Sequence, residues 1–265
     1  MIQALIEYAF VGAMAGGLAG LLGIGGGIII IPSLFFIFSS QGLLPQHMLM
    51  QFVVGTSLAA IITTTLFSLR AQYQRGVPFW PIFSQLAIGI VIGTIAGVIL
   101  ASYLNTQMLK SLFGVFMVVV AIQMFFRIRE SKEQGLPGFV SRSIASLCIG
   151  LSSGLLGISG GALTIPYLTY YKISIREAMA SSTACGVLIA ITGTISFMIA
   201  GWGKTGVAWS AGYVYWPAAL MITLASPLFV KLGNALSHRL PVETLRKILA
   251  LFICLVGIQM LFSLH

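Results

Sequence analysis

Apolar residues run along this chain in long unbroken stretches, without the strict alternation of a half-buried strand, and short polar interruptions separate them. Stretches near or above the roughly 20 residues that span about 30 Å of hydrocarbon recur over the whole length. Backbone facing lipid must satisfy its own hydrogen bonds, so continuous runs of this kind predict helices and not barrel strands. The pattern predicts segments at 4–22, 27–38, 49–69, 79–103 and 108–126, then again at 143–157, 161–171, 178–200, 212–235 and 243–262. The fold class is an all-α polytopic membrane protein.

The second five segments repeat the first. "GGLAGLLGIGGGIIIIP" at 16–32 returns as "GLSSGLLGISGGALTIP" at 150–166, 134 positions later. "YLNTQMLKSLFGVFMVVVAIQMFF" at 103–126 matches "RLPVETLRKILALFICLVGIQMLF" at 239–262 with an offset of 136, which Trp80-Pro81 and Trp216-Pro217 share. The chain therefore divides into a first transmembrane repeat at 1–126, a polar linker at 127–142 and a second repeat at 143–265.

The second segment of each repeat is short, about 12 residues or ~18 Å, which reaches only part way through the hydrocarbon. Two topologies follow. If residues 5–38 cross once, the 14 Lys and Arg divide seven and seven between the two sides. If each short segment folds back as a re-entrant hairpin, twelve gather on one side and only Lys110 and Lys204 remain on the other. The positive-inside rule selects the hairpins. Each repeat then has four full spans plus one half-helix, both termini lie outside, and the linker is cytoplasmic. The odd count makes the two halves inverted repeats, an arrangement found in secondary transporters.

Composition sharpens this. Hydrophobic residues make up 58% of the chain and charged residues 7%, against about 25% charged in a soluble domain, and mean hydropathy is +1.04. The net charge of +9 comes from basic residues scattered between apolar runs, which predicts no nucleic-acid partner. Cys148, Cys185 and Cys254 lie in apolar segments without metal-ligand spacing, so no metal, no cofactor and no disulfide is expected. The first basic residue is Arg70, so residues 5–22 read as a retained helix and not as a signal peptide.

The glycine clusters open the half-helices. With one hairpin entering from each side, Gly25, Gly26 and Gly27 would meet Ser159, Gly160 and Gly161 near the midplane. The first N–H groups of each half-helix have no helical partner and carry about half a positive charge, and glycine lets an anion approach the backbone. Thr56 and Ser57 in "VVGTSLAA", Ser181, Ser182 and Thr183 in "MASSTACG", and Thr164 on the second half-helix supply hydroxyls without charge. The membrane interior reads as free of Lys and Arg, and Glu7 is the only carboxylate in an apolar segment. These residues predict a small anionic substrate in a lipid bilayer. They set no oligomeric state, and a channel or a carrier of another small solute remains the alternative.

An enzymatic reading is weaker. Gly157-Ile158-Ser159-Gly160 matches the GxSG pattern of rhomboid-type intramembrane serine proteases, which need a histidine base on a neighbouring helix. His47, His238 and His265 fall in loops or at the terminus, and the repeat partner of Ser159 is Gly25. No catalytic residue is expected.

The paired "GLLGIGGGIIIIP" and "GLLGISGGALTIP", each followed by a helix carrying "GTSL" or its degenerate partner "SSTA", resemble the TauE/SafE family over essentially the full length. The resemblance implies a prokaryotic inner-membrane transporter of sulfite, organosulfonates or related sulfur oxyanions, working as an exporter.

Overall fold

The computed structural model describes residues 2–22, 26–42, 44–125, 136–236 and 242–262. Gly25 and most of the linker expected at 127–142 lie outside these residues. The first half holds α1 (Ile2–Leu22), α2 (Gly27–Gln41), α3 (Leu49–Gln74), α4 (Trp80–Tyr103) and α5 (Thr106–Phe125). The second holds α6 (Phe139–Leu156), α7 (Gly161–Tyr170), α8 (Ile175–Ala200), α9 (Trp216–Leu236) and α10 (Val242–Phe262). Two short strands, β1 (Ser210–Ala211) and β2 (Val214–Tyr215), pair antiparallel between α8 and α9.

Among the described residues seven helices are long and apolar enough to cross a membrane: α1, α3, α4, α5, α6, α8 and α9. Large apolar side chains project outward from them, Ile88 of α4 and Leu224 of α9 among the most exposed, as expected where the solvent is hydrocarbon. The protein is a multi-pass, all-α membrane protein.

Local chemistry explains several boundaries. Ser174 caps α8, its Oγ accepting from the Glu177 N–H at 3.3 Å. Pro81 opens α4 where a missing N–H removes nothing from the helix. Gly157 ends α6 with φ +73°, and the N–H groups of Gly157 and Ile158 both donate to the Ser153 carbonyl. The short helices measure 15 residues for α2 and 10 for α7, about 22 and about 15 Å. Thus α2 runs three residues past the predicted end at 38, until Gly42 closes it with a left-handed backbone.

α1 and α2 fold back on each other: the Tyr8 hydroxyl, early in α1, donates to Gln41 Oε1 at the end of α2 at 2.9 Å. Helices α3 and α8 form the centre and run antiparallel. Gly186 of α8 faces Thr65, and Gln72 Nε2 donates to Thr183 Oγ1 at 3.0 Å.

The closest packing is glycine-mediated. α1 lies parallel to α9 and α4 parallel to α6. A β-carbon at Gly16 would sit 2.5 Å from the Ser226 carbonyl oxygen, and one at Gly150 would press into that of Ile90. One at Gly233 would meet the Gly17 carbonyl and Leu21 N; one at Gly97 would meet the Leu151 carbonyl and Leu155 N. Gly17 and Leu21 stand 134 positions before Leu151 and Leu155, and Gly97 stands 136 before Gly233, so the same contact occurs twice with the halves exchanged.

Close approach separates neighbouring glycines by their tolerance. Gly16→Ala and Gly154→Ala are expected to destabilise the detergent-solubilised protein by roughly 2 kcal/mol or more, because backbone must retreat. Gly17→Ala, with nothing within 4 Å of its β position, should be neutral or stabilise by up to about 1 kcal/mol. Thermal unfolding of the three variants checks the contrast.

Candidate functional site

The turn between α6 and α7 is built from two left-handed glycines, Gly157 at φ +73° and Gly160 at φ +74°, which reverse the chain in four residues. Leu163 and Thr164 then donate to the Gly160 carbonyl at 3.1 and 2.8 Å, so the N–H groups of Gly160, Gly161 and Ala162 have no acceptor within the helix. In the first half, Ile29 and Ile30 donate to the Gly26 carbonyl, both at 3.0 Å, and α2 starts at Gly27. Gly26, Gly27, Ser159, Gly160 and Gly161 are buried; Gly25 lies outside the described residues.

The two turns touch. A β-carbon at Gly27 would lie 3.0 Å from the Gly157 carbonyl oxygen and 3.1 Å from Ile158 Cα. Ser57 of α3 donates to the same carbonyl at 3.1 Å.

The predicted hydroxyls divide into two sets. Thr56, Ser57 and Thr183 have structural partners. Thr56 Oγ1 accepts from the Tyr215 N–H at 3.0 Å, Ser57 bonds Gly157, and Thr183 donates to the Met179 carbonyl at 2.7 Å while accepting from Gln72. Thr164 and Ser182 are buried with no hydrogen-bond partner for their hydroxyls. The same is true of Ser181, named with Ser182 and Thr183 in the sequence, and of Ser68 and Ser153, which sequence reasoning did not select. Ser153 stands in the repeated motif itself, and Ser181 precedes Ser182; a hydroxyl where the first half has Ala19 was the available signal.

Two features differ from expectation. Lys110, expected in the outer flank, is only 4% exposed: its Nζ lies 4.7 Å from the centroid of the Phe35 ring of α2, so the helical interior does hold a cation. A long apolar stem and a cation–π contact permit this burial. Phe35 is eight residues, about 12 Å, beyond Gly27 along α2, which sets Lys110 away from the two turns. Second, residues 212–215, expected to begin the ninth helix, belong to the β1–β2 hairpin. Tyr213 wedges edge-on between Phe52 and Phe197, with centroids at 5.8 and 6.3 Å, and Tyr215 packs against Phe38 at 5.7 Å. Burial holds the Tyr213 phenol above its ordinary pKa range, so it stays neutral.

The sequence model of the family described as sulfite exporter TauE/SafE matches residues 8–260. The chain belongs to the TauE/SafE family. This TauE/SafE chain is 36% identical over 263 residues to a probable membrane transporter protein of Haemophilus influenzae, covering 98% of this chain and 99% of that one. It is 31% identical over 258 residues to a probable membrane transporter protein of Methanocaldococcus jannaschii, covering 95% and 93%. It is 27% identical over 279 residues to the probable membrane transporter protein YunE of Bacillus subtilis, covering 95% of each. No solved structure matches. The TauE/SafE chain is a membrane transporter and not an enzyme.

The Ser57–Gly157 bond gives a test of the TauE/SafE turn. Ser57→Ala leaves a buried carbonyl facing an apolar gap and is expected to cost about 1–3 kcal/mol of stability, read as a lowered unfolding temperature in detergent.

Proposed function

We propose that this protein exports sulfur oxyanions, sulfite or organosulfonates, across a prokaryotic inner membrane by alternating access around a midplane site. The observation that carries the reading is the contact of the start of α2, at Gly27, with the α6–α7 turn at Gly157 and Ile158, from which α7 opens at Gly161, in a part of the fold that bilayer would otherwise leave without polar groups. Each half-helix N-terminus carries about half a unit of positive charge, which suits a small anion. Among the described residues no carboxylate is drawn into the turn, as a cation site would require.

The architecture in this reading is a pair of inverted repeats, 1–126 and 143–265, joined by a cytoplasmic linker at 127–142, with both termini outside and a re-entrant hairpin in each half. Support comes from the doubled glycine contacts, in which α1 with α9 repeats α6 with α4 at offsets of 134 and 136. The twelve-to-two division of basic residues supports the orientation. Both hairpins then return to the side they entered from, α2 to the outside and α7 to the cytoplasm.

Alternating access needs a closure on each side in turn. The β1–β2 hairpin supplies one on the outside, where Tyr213 and Tyr215 fill the gap between α2, α3 and α8 and latch onto Thr56. The corresponding α3–α4 turn at 75–79 is short, and it borders an open cavity of about 380 Å³ beside Tyr73 and Trp80. An inside-negative potential favours anion exit by about 2.3 kcal/mol per charge per 100 mV, which makes export the downhill direction.

Currents on a solid-supported membrane test the function. Proteoliposomes should respond to sulfite and methanesulfonate and not to acetate; a flat response to every sulfur oxyanion, with current from other anions, would reject the substrate. Counterflow should be present, whereas its absence together with single-channel openings would make the protein a channel. The orientation is tested in a variant lacking Cys148, Cys185 and Cys254. A cysteine at Lys204, exposed in the α8–α9 loop, should react with an impermeant maleimide on intact cells, and one at Lys172 in the α7–α8 turn should not.

A further inference from the structure

We propose that the anion is held off the symmetry axis, in a pocket of unpaired hydroxyls around the start of α7: Ser153, Thr164, Ser181 and Ser182, with Ser68 of α3 on the facing wall. The inference rests on the transporter reading and deepens it, because it adds Ser68 and Ser153 as binding residues and makes Thr56 and Ser57 structural.

A buried hydroxyl without a partner is destabilising, and native proteins hold few of them. Among the described residues nine buried side-chain polar atoms lack a partner, and five of them are these hydroxyls. Serine and threonine in a helix ordinarily bond back to their own helix, as Thr65, Thr94 and Thr194 do here at 2.6 to 2.8 Å. The five have that option and do not use it.

They also converge. Ser153 Oγ lies 3.1 Å from the position a β-carbon on Gly160 would take, so it points at the first turn of α7. Thr164 is one turn further along α7, its N–H bonded to the Gly160 carbonyl. On α8, Ile189 reaches the same Gly160 position, and Ser181 lies two turns before it on that stripe. Gly186 faces Ser159, and Ser182 is one turn before Gly186. Ser68 lies on the α3 face between Thr65, which faces Gly186, and Gln72, which bonds Thr183.

The chemistry of this lining is specific. Hydroxyls and the N–H groups of Gly160, Gly161 and Ala162 are donors, and among the described residues no carboxylate faces them, so the ligand must present several acceptor oxygens on a compact centre. A sulfonate or sulfite group fits, and a metal ion or an ammonium compound does not. Tyr167 Oη, one turn beyond Thr164, and Arg142 Nε, in the first turn of α6, are also unpaired. They extend the polar lining from the pocket toward the α7 end of the hairpin, the cytoplasmic side in this topology. That marks the side from which the anion enters.

The experiment compares Ser153→Ala, Thr164→Val and Ser181→Ala with Thr194→Val, measuring flux in proteoliposomes and unfolding temperature with and without sulfite or methanesulfonate. Removing an unpaired hydroxyl loses no internal bond, so the three pocket variants should keep or raise the ligand-free unfolding temperature. They should raise the KM for both anions about fivefold or more and shrink the anion-induced rise in unfolding temperature. Thr194→Val loses a real hydrogen bond and should show the opposite: a lower unfolding temperature with KM unchanged. Pocket variants that transport with KM within about twofold of wild type, while wild type moves sulfur oxyanions, would overturn the pocket and leave the function standing. If wild type moves other anions and the variants raise the KM for those, the pocket stands and the sulfur substrate falls. If wild type moves no anion, both fall.

Discussion

The hydrogen bond from Ser57 Oγ to the Gly157 carbonyl is the tie on which the interior of this protein depends. Non-helical backbone inside a bilayer survives only where protein covers it, and the turn from Gly157 to Gly160 is non-helical backbone inside the fold. Its acceptor side is answered from within the chain. The Ser153 carbonyl takes the N–H groups of Gly157 and Ile158, and Ser57 reaches across from the other half to take the Gly157 carbonyl. What remains is the donor side, the amides that open α7. The open amides at the start of α7 give the turn an electrostatic sense, and in the proposed reading that sense favours an anion.

Holding two such turns in register requires the helices around them to pack without a hydrophobic driving force, because lipid chains are as apolar as leucine. Glycine backbones in direct contact provide the dispersion contacts instead, at Gly16 and Ser226, at Gly150 and Ile90, and at Gly114 beside Gly257. Each of these pairs joins a helix of the first half to one of the second. The two halves therefore cannot separate as independent blocks without breaking the closest packing in the molecule. In the proposed alternating-access cycle, motion runs along the less tightly joined seams, where α3 and α8 meet the half-helices and where the Tyr213 hairpin fits between aromatic rings.

Much of this was legible in the residues. Helix number and the short second segments follow from uninterrupted apolar runs and from motifs such as "GLLGIGGG" and "GLLGISGG", because length and glycine clusters are local properties. The roles of single hydroxyls were not local. Thr56 and Ser57 drew attention as polar groups in an apolar helix, but their partners are Tyr215 and Gly157, 159 and 100 positions away, and only the folded chain brings them together. Ser68 and Ser153 were hidden for the converse reason: whether a helical hydroxyl bonds back to its own helix depends on a rotamer that composition does not specify. The β1–β2 hairpin has two residues per strand, too few for alternation to register, and Lys110 read as a flanking residue because the Phe35 ring that receives it comes from another helix.

A site of this kind carries an energetic consequence for transport. Each buried hydroxyl without a partner costs about 1–3 kcal/mol, while a completed neutral hydrogen bond contributes about 0.5–1.5 kcal/mol net. An anion entering such a pocket is therefore held by several modest increments and not by one strong ion pair. A buried cation at the same place would bind far more firmly, since separating a buried pair leaves an uncompensated charge. Lys110 is the buried cation that the described residues contain, and it stands about 12 Å along α2 from the turns, over an aromatic ring. The membrane potential contributes about 2.3 kcal/mol per charge per 100 mV, comparable to two or three of those hydrogen bonds. In the proposed reading a substrate held only by bonds of that size can be released by the potential itself, and the lack of a fixed charge at the turn would let such a carrier turn over.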